Sequence, residues 1–150
     1  MHVVLVAPEI PQNTGSIGRV CLATDTALHL VDPLGFTIDD RHLRRAGLDY
    51  WPHVRLARHA SWEAFLAARP PGRLLVFSAH AARSYTTVRF HEDDLLVFGG
   101  ESRGLPLAVR AAHADATFRI PLASEHVRSL NLATAVAIVL YEALRQQGKV

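Results

Sequence analysis

The 150 residues carry 16 lysines and arginines against 14 acids, a formal charge of +2, with 49% apolar and 20% charged side chains. That balance excludes a disordered or fibrous chain, and one domain over residues 1–150 is expected around one core. A single cysteine, Cys21, cannot close an internal disulfide, so a reducing, cytoplasmic setting is expected, with the thiol buried as a small hydrophobe. The start MHVVLVAPE has no basic leader, and the longest apolar run, Leu132 to Leu140, is broken by Thr134. It falls well short of the roughly 20 residues that span a bilayer, so no membrane partner is expected.

In chain order, Val3–Val6 reads as a short strand, followed by the Pro/Asn/Gly-rich loop APEIPQNTGS. Thr14 or Ser16 is placed to cap a helix running to about Thr24. Leu28–Val31 is a second strand, closed by the turn DPLG, and a short helix is expected over Asp39–Ala46. A strand at Val54–Ala57 and a helix over Trp62–Ala68, capped by Ser61, follow. Strands are then expected at Leu74–Ser78, Leu95–Phe98 and Thr117–Ile120, with a helix after Pro106. A last helix runs from about Ser129 to Gln146, capped by Ser129 or Asn131. Strands that are apolar throughout, alternating with helices, predict an α/β fold: a mostly parallel sheet with helices on both faces. The last helix is apolar nearly all round, which predicts burial on two sides and hence a homodimer.

Charge is unevenly spread. Between Arg41 and His59 stand five arginines (Arg41, Arg44, Arg45, Arg55, Arg58) and one acid, Asp49, together with Tyr50 and Trp51. Two readings stand: a solvated surface, or phosphate pairing and base stacking on RNA.

Three polar loops could carry chemistry. In PEIPQNTGSIGR, Asn13, Thr14 and Gly15 lie at a helix start suited to anions, and Arg19 follows one turn beyond Gly15. In FGGESRGL, Gly99, Gly100 and Gly104 permit close backbone approach, and Glu101 is an acceptor. In the third, Ile120-Pro121-Leu122 leads to Ser129, Leu130 and Asn131, which either cap the helix or donate into a pocket. There is no G-x-G-x-x-G, no P-loop, no G-x-S-x-G and no Cys/His set at zinc spacing, so no metal is expected.

Taken together and in this order, N-T-G-x-x-x-R, F-G-x-E-x-x-G-L and I-P…S-L-N-L resemble the SPOUT superfamily of RNA methyltransferases. RRAGLDYW points within it to the small tRNA wobble-nucleotide 2′-O-methyltransferases of the TrmL type. The resemblance covers nearly the whole chain. It implies a C-terminal trefoil knot, an obligate dimer and bound S-adenosylmethionine. Carried over, Phe77, Gly99, Glu101, Gly104, Ile120, Leu122, Ser129, Leu130 and Asn131 would form or support the cofactor pocket. Arg19 would act at the reacting ribose, with Asn13 organising the entry loop. Arg41, Arg44, Arg45, Tyr50 and Trp51 would hold the tRNA anticodon stem-loop. The accessory RNA-binding domain of larger relatives is not expected. An enzyme acting on rRNA or another tRNA position, and a non-catalytic SAM- or RNA-binding dimer, are the competing readings. The chain departs from the family at Asp25, where glycine is usual; a small cost in stability is expected there.

Overall fold

Seven strands, the central ones short runs of valine and leucine, form in the computed structural model, which describes residues 1–37 and 49–150. They are β1 (His2–Val6), β2 (Ala27–Val31), β3 (Leu56–His59), β4 (Leu74–Phe77), β5 (Arg83–Ser84), β6 (Leu95–Gly99) and β7 (Thr117–Arg119). The sheet order is β3-β2-β1-β6-β4-β7-β5, and every described pairing is parallel. The helices are α1 (Pro11–Ala23), α2 (Trp62–Ala68), α3 (Leu107–Ala112) and α4 (Leu132–Gln146). No helix among the described residues is long and apolar enough to cross a membrane.

Alternate residues of each strand feed two cores, which is why the strands read as apolar throughout. Val3, Leu5, Leu28, Leu30, Leu96 and Phe98 pack beneath Ile17 and Cys21 of α1 and Val136, Val139 and Leu140 of α4. On the opposite face, Val4, Val6, Val31, Val76 and Val97 pack beneath Phe65 of α2, Val109 of α3 and Leu105 of the loop before α3. Cys21 is wholly buried, and burial pushes its thiol up to about 12, which fits a core position and not a nucleophile.

Several boundaries differ from the sequence reading. α1 begins at Pro11, so Thr14 and Ser16 are not its cap: proline presets the first helical φ, and Ile10 stands at the cap without a side-chain bond. β3 starts two residues later than expected, and two-residue β5 is too short to show a pattern. Asn131, not Ser129, caps α4, accepting from the amides of Ala133 and Thr134 at 2.9 and 3.2 Å. The helix expected over Asp39–Ala46, with Arg41, Arg44 and Arg45, lies outside the described residues. Asp25 does take the left-handed backbone that its usual glycine would, at φ +50°, and Arg55 pairs with its carboxylate at 3.1 Å.

Three histidines line up across neighbouring strands. His29 on β2 approaches His2 on β1 at 3.1 Å and His59 on β3 at 3.0 Å, using a different ring nitrogen for each. Phe65 presents its edge to His29 and His59. Burial, ahead of the neighbouring His2 and His59 rings, pushes the His29 imidazole down from its ordinary 6.5 to about 4. The unfolded chain therefore takes up a proton below about pH 6.5 that the folded chain refuses until about pH 4. The stability held above pH 6.5 is lost as pH falls across that window, by on the order of 1–3 kcal/mol once solvent screening of the ring is counted. Denaturant midpoints measured from pH 7.5 to 4.5 should fall in wild type and flatten in His29→Phe; an unchanged wild-type midpoint would contradict this.

Candidate active site

Parallel strands end together, so the loops leaving the carboxyl ends of β1, β4, β6 and β7 gather on one edge of the sheet. A part-buried hydrogen-bond chain joins three of them. The Glu101 carboxylate, after β6, accepts from the backbone amides of Glu9 and Ile10 at 2.7 and 3.3 Å, before α1. The same carboxylate accepts from Asn13 Nδ2 at 2.8 Å, and Asn13 Oδ1 accepts from Asn131 Nδ2 at 2.9 Å. The anion at the start of α1 is thus Glu101 itself, which satisfies amides that the helix leaves unpaired. The segment allows two readings, an anion-binding helix start or a capped loop with a surface arginine, and these bonds together with the exposed Arg19 match the second. Glu9 reciprocates by accepting from the Ser102 hydroxyl.

The glycines of the second loop have distinct tasks. A Cβ on Gly99 would lie 2.2 Å from the Gly104 carbonyl carbon, and one on Gly100 would lie 2.3 Å from the Ala7 oxygen. Gly100 is therefore a close-approach position and not a flexible spacer. Gly104 takes φ +64° in open space, and its amide donates to the Gly100 carbonyl at 2.9 Å. Ala7 itself is left-handed at φ +51°, a strained alanine where β1 turns into the first loop.

These loops enclose a cleft of ≈ 660 Å³. All nine expected cofactor residues lie on its wall: Phe77, Gly99, Glu101, Gly104, Ile120, Leu122, Ser129, Leu130 and Asn131. Asn13 joins them, while Ser78, His80, Leu105, Arg110 and Arg128 line it without having been anticipated. Ser78 and His80 were findable, because SAH follows an apolar strand at the same sheet edge.

Of the remaining expected residues, Arg41, Arg44 and Arg45 lie outside the described residues, and Arg19, Tyr50 and Trp51 fall off the cleft wall. Arg19 is exposed and off the cleft wall, its guanidinium carbon 4.7 Å from the centre of the Tyr50 ring. Six residues of helix separate it from Asn13, a turn of roughly 600°, so the two side chains leave α1 in different directions. Tyr50 is partly buried and donates its hydroxyl to the Gly15 carbonyl at 2.8 Å, which fixes the platform under Arg19. Trp51 is only 8% exposed and packs on α1, where a Cβ on Gly18 would lie 2.5 Å from its ring. The expectation that Trp51 offers a face for base stacking is corrected: its ring is spent in the core.

A cleft built of main-chain loops at the carboxyl edge of a parallel sheet is where α/β enzymes hold small ligands. The chain belongs to the SpoU rRNA Methylase family, whose model matches residues 1–141. It is 49% identical over 150 residues to a tRNA (cytidine(34)-2′-O)-methyltransferase of Polaromonas sp., covering 98% of this chain and 91% of that one. A structure solved to explain 2-OH methylation of C/U34 on tRNA matches with TM-score 0.90 and 51% identity, over 98% of this chain and 90% of that chain. The SpoU methyltransferase AviRb from Streptomyces viridochromogenes, in complex with AdoMet, matches with TM-score 0.80 and 30% identity, over 98% of this chain and 57% of that chain.

The two glycine types separate in a mutational test. Gly99→Ala should cost about 1–3 kcal/mol and weaken cofactor binding, because backbone atoms obstruct the new methyl. Gly104→Ala should cost only about 1 kcal/mol, from its left-handed backbone. Thermal melts with calorimetric titration of S-adenosylmethionine check both, and equal losses would contradict the assignment.

Proposed function

We infer that this chain transfers a methyl group from S-adenosylmethionine to the ribose 2′-oxygen of the wobble cytidine or uridine of tRNA. The observation that carries the reading is the convergence of three motif loops, tied by Glu101, Asn13 and Asn131, on one cleft. Its support from relatives is the near-full-length identity to an enzyme of that name.

The residues present suit the cofactor. The cleft volume of ≈ 660 Å³ falls within the range of small-molecule sites. Phe77, Ile120, Leu122 and Leu130 offer apolar cover for an adenine, and the backbone at Gly99 and Gly104 can approach closely. When bound, the cofactor supplies an electrophilic methyl on a sulfonium. The protein's part is to align the ribose and favour loss of its hydroxyl proton. Arginine stays protonated and Arg19 lies off the cleft wall, so it is assigned not to the proton itself but to an RNA phosphate flanking the reacting ribose, where its charge eases ionisation of the hydroxyl. Tyr50 holds Arg19 in place, and Arg41, Arg44 and Arg45 are assigned to the anticodon stem-loop.

The finer fold and assembly follow the same reading. The chain is proposed to act as one SPOUT domain over residues 1–150, with its C-terminal loops threaded as a trefoil knot. A homodimer is proposed through the outward side of α4, where Ala137 and Ile138 are part-buried and Tyr141 remains 46% exposed. A cytoplasmic setting suits both the lone buried thiol and a tRNA substrate. No metal role is assigned: in the grouping His91, Asp93 and Asp94, the Asp94 carboxylate already accepts from Arg73 and from the His91 amide.

Methyl transfer from labelled S-adenosylmethionine to tRNA lacking its wobble methylation should yield a 2′-O-methyl pyrimidine at position 34. Arg19→Ala should lower turnover by at least about 100-fold, as loss of a transition-state charge contact does. Label confined to rRNA, or cofactor binding without transfer to any RNA, would overturn the reading.

A further inference from the structure

Beside the cofactor cleft lies a second, smaller pocket of ≈ 270 Å³, lined among others by Ser78, His80, Arg83, Arg110 and Thr117. Ser78, His80 and Arg110 line both cavities, so the two are neighbours that share a wall. Its chemistry is one-sided: two guanidiniums and an imidazole contribute, and no carboxylate lines it among the described residues.

Both arginines are set for a ligand. The Arg83 guanidinium lies 4.6 Å from the centre of the Phe118 ring, which holds its plane while leaving the side chain exposed. Arg110, in the last turn of α3, has its Nε buried with no hydrogen-bond partner among the described residues. A buried guanidinium nitrogen without an acceptor is costly, and an oxyanion in the pocket would satisfy it. Planar, paired donors of this kind suit phosphate oxygens.

We propose that Arg83 and Arg110 form a phosphate-binding pocket that grips the backbone of the RNA substrate next to the cofactor cleft. This rests on the RNA reading of the site and adds to it a contact region on β5 and α3. The pocket positions the strand without reading its sequence. Its location beside the cleft mouth lets it hold the nucleotides flanking the methylated ribose.

The test is fluorescence anisotropy of a labelled, unmodified tRNA transcript against the full chain, from 0.05 to 0.3 M salt. Arg83→Gln and Arg110→Gln should each weaken binding about fivefold near 0.15 M salt and reduce the slope of log K against log salt by about 1. Arg110→Lys should keep the slope because it keeps the charge, which separates lost phosphate contact from misfolding. Arg83→Gln, which lies off the cofactor cleft, should bind S-adenosylmethionine as wild type does. Unchanged RNA affinity and slope in both glutamine variants would overturn the pocket while leaving the methyltransferase reading intact. Loss of cofactor affinity with RNA binding retained would reassign the arginines to the cofactor's carboxylate and equally overturn it. A wild-type chain that neither binds nor methylates tRNA would remove the RNA reading itself.

Discussion

One carboxylate holds the candidate site together. Glu101 accepts two backbone amides before α1 and the side-chain amide of Asn13, which in turn accepts from Asn131 at the cap of α4. Residues separated by 88 and 118 positions in sequence are thereby joined through two consecutive bonds. Each partner also has a local duty: Glu101 neutralises a helix start, and Asn131 caps a helix. Removing either would therefore disturb an element end and the tie between loops together.

The glycines follow from that tie. For Glu101 to reach the amides of Glu9 and Ile10, the backbone of the second loop must pass against Ala7, and a side chain at Gly100 would block it. Gly99 must likewise lie against Gly104 and Leu105 as the loop folds back on itself. The sheet below sets the approach: β1 pairs with β6 in parallel, Val6 opposite Gly99, so both loops leave side by side. The cleft is what remains between these loops and those after β4 and β7.

Much of this was legible because it is encoded in local chemistry. Apolar runs marked six of the seven strands and Ser61 marked the start of α2, whereas the left-handed turn at Asp25 came from the glycine usual there in the family. The nine cofactor positions came from motif resemblance and do share one cleft wall. What was not legible depends on partners distant in sequence. Thr14 looks like a cap, but Pro11 and the Glu101 carboxylate set the helix start earlier. Trp51 looks like a stacking residue, but the bare backbone of Gly18 receives its ring. Arg110 looks like ordinary helix surface, and only the tertiary fold buries its Nε beside a pocket.

The central claim is that Glu101 and Asn13 act as one unit in shaping the cofactor cleft. A double-mutant cycle on S-adenosylmethionine affinity, measured by calorimetry with Glu101→Ala, Asn13→Ala and the double variant, tests it most directly. Each single change should weaken binding by about tenfold or more, as loss of a bond to a charged group does, and the double variant should bind no more weakly than the worse single. Losses that simply add, or affinities unchanged from wild type, would contradict the account.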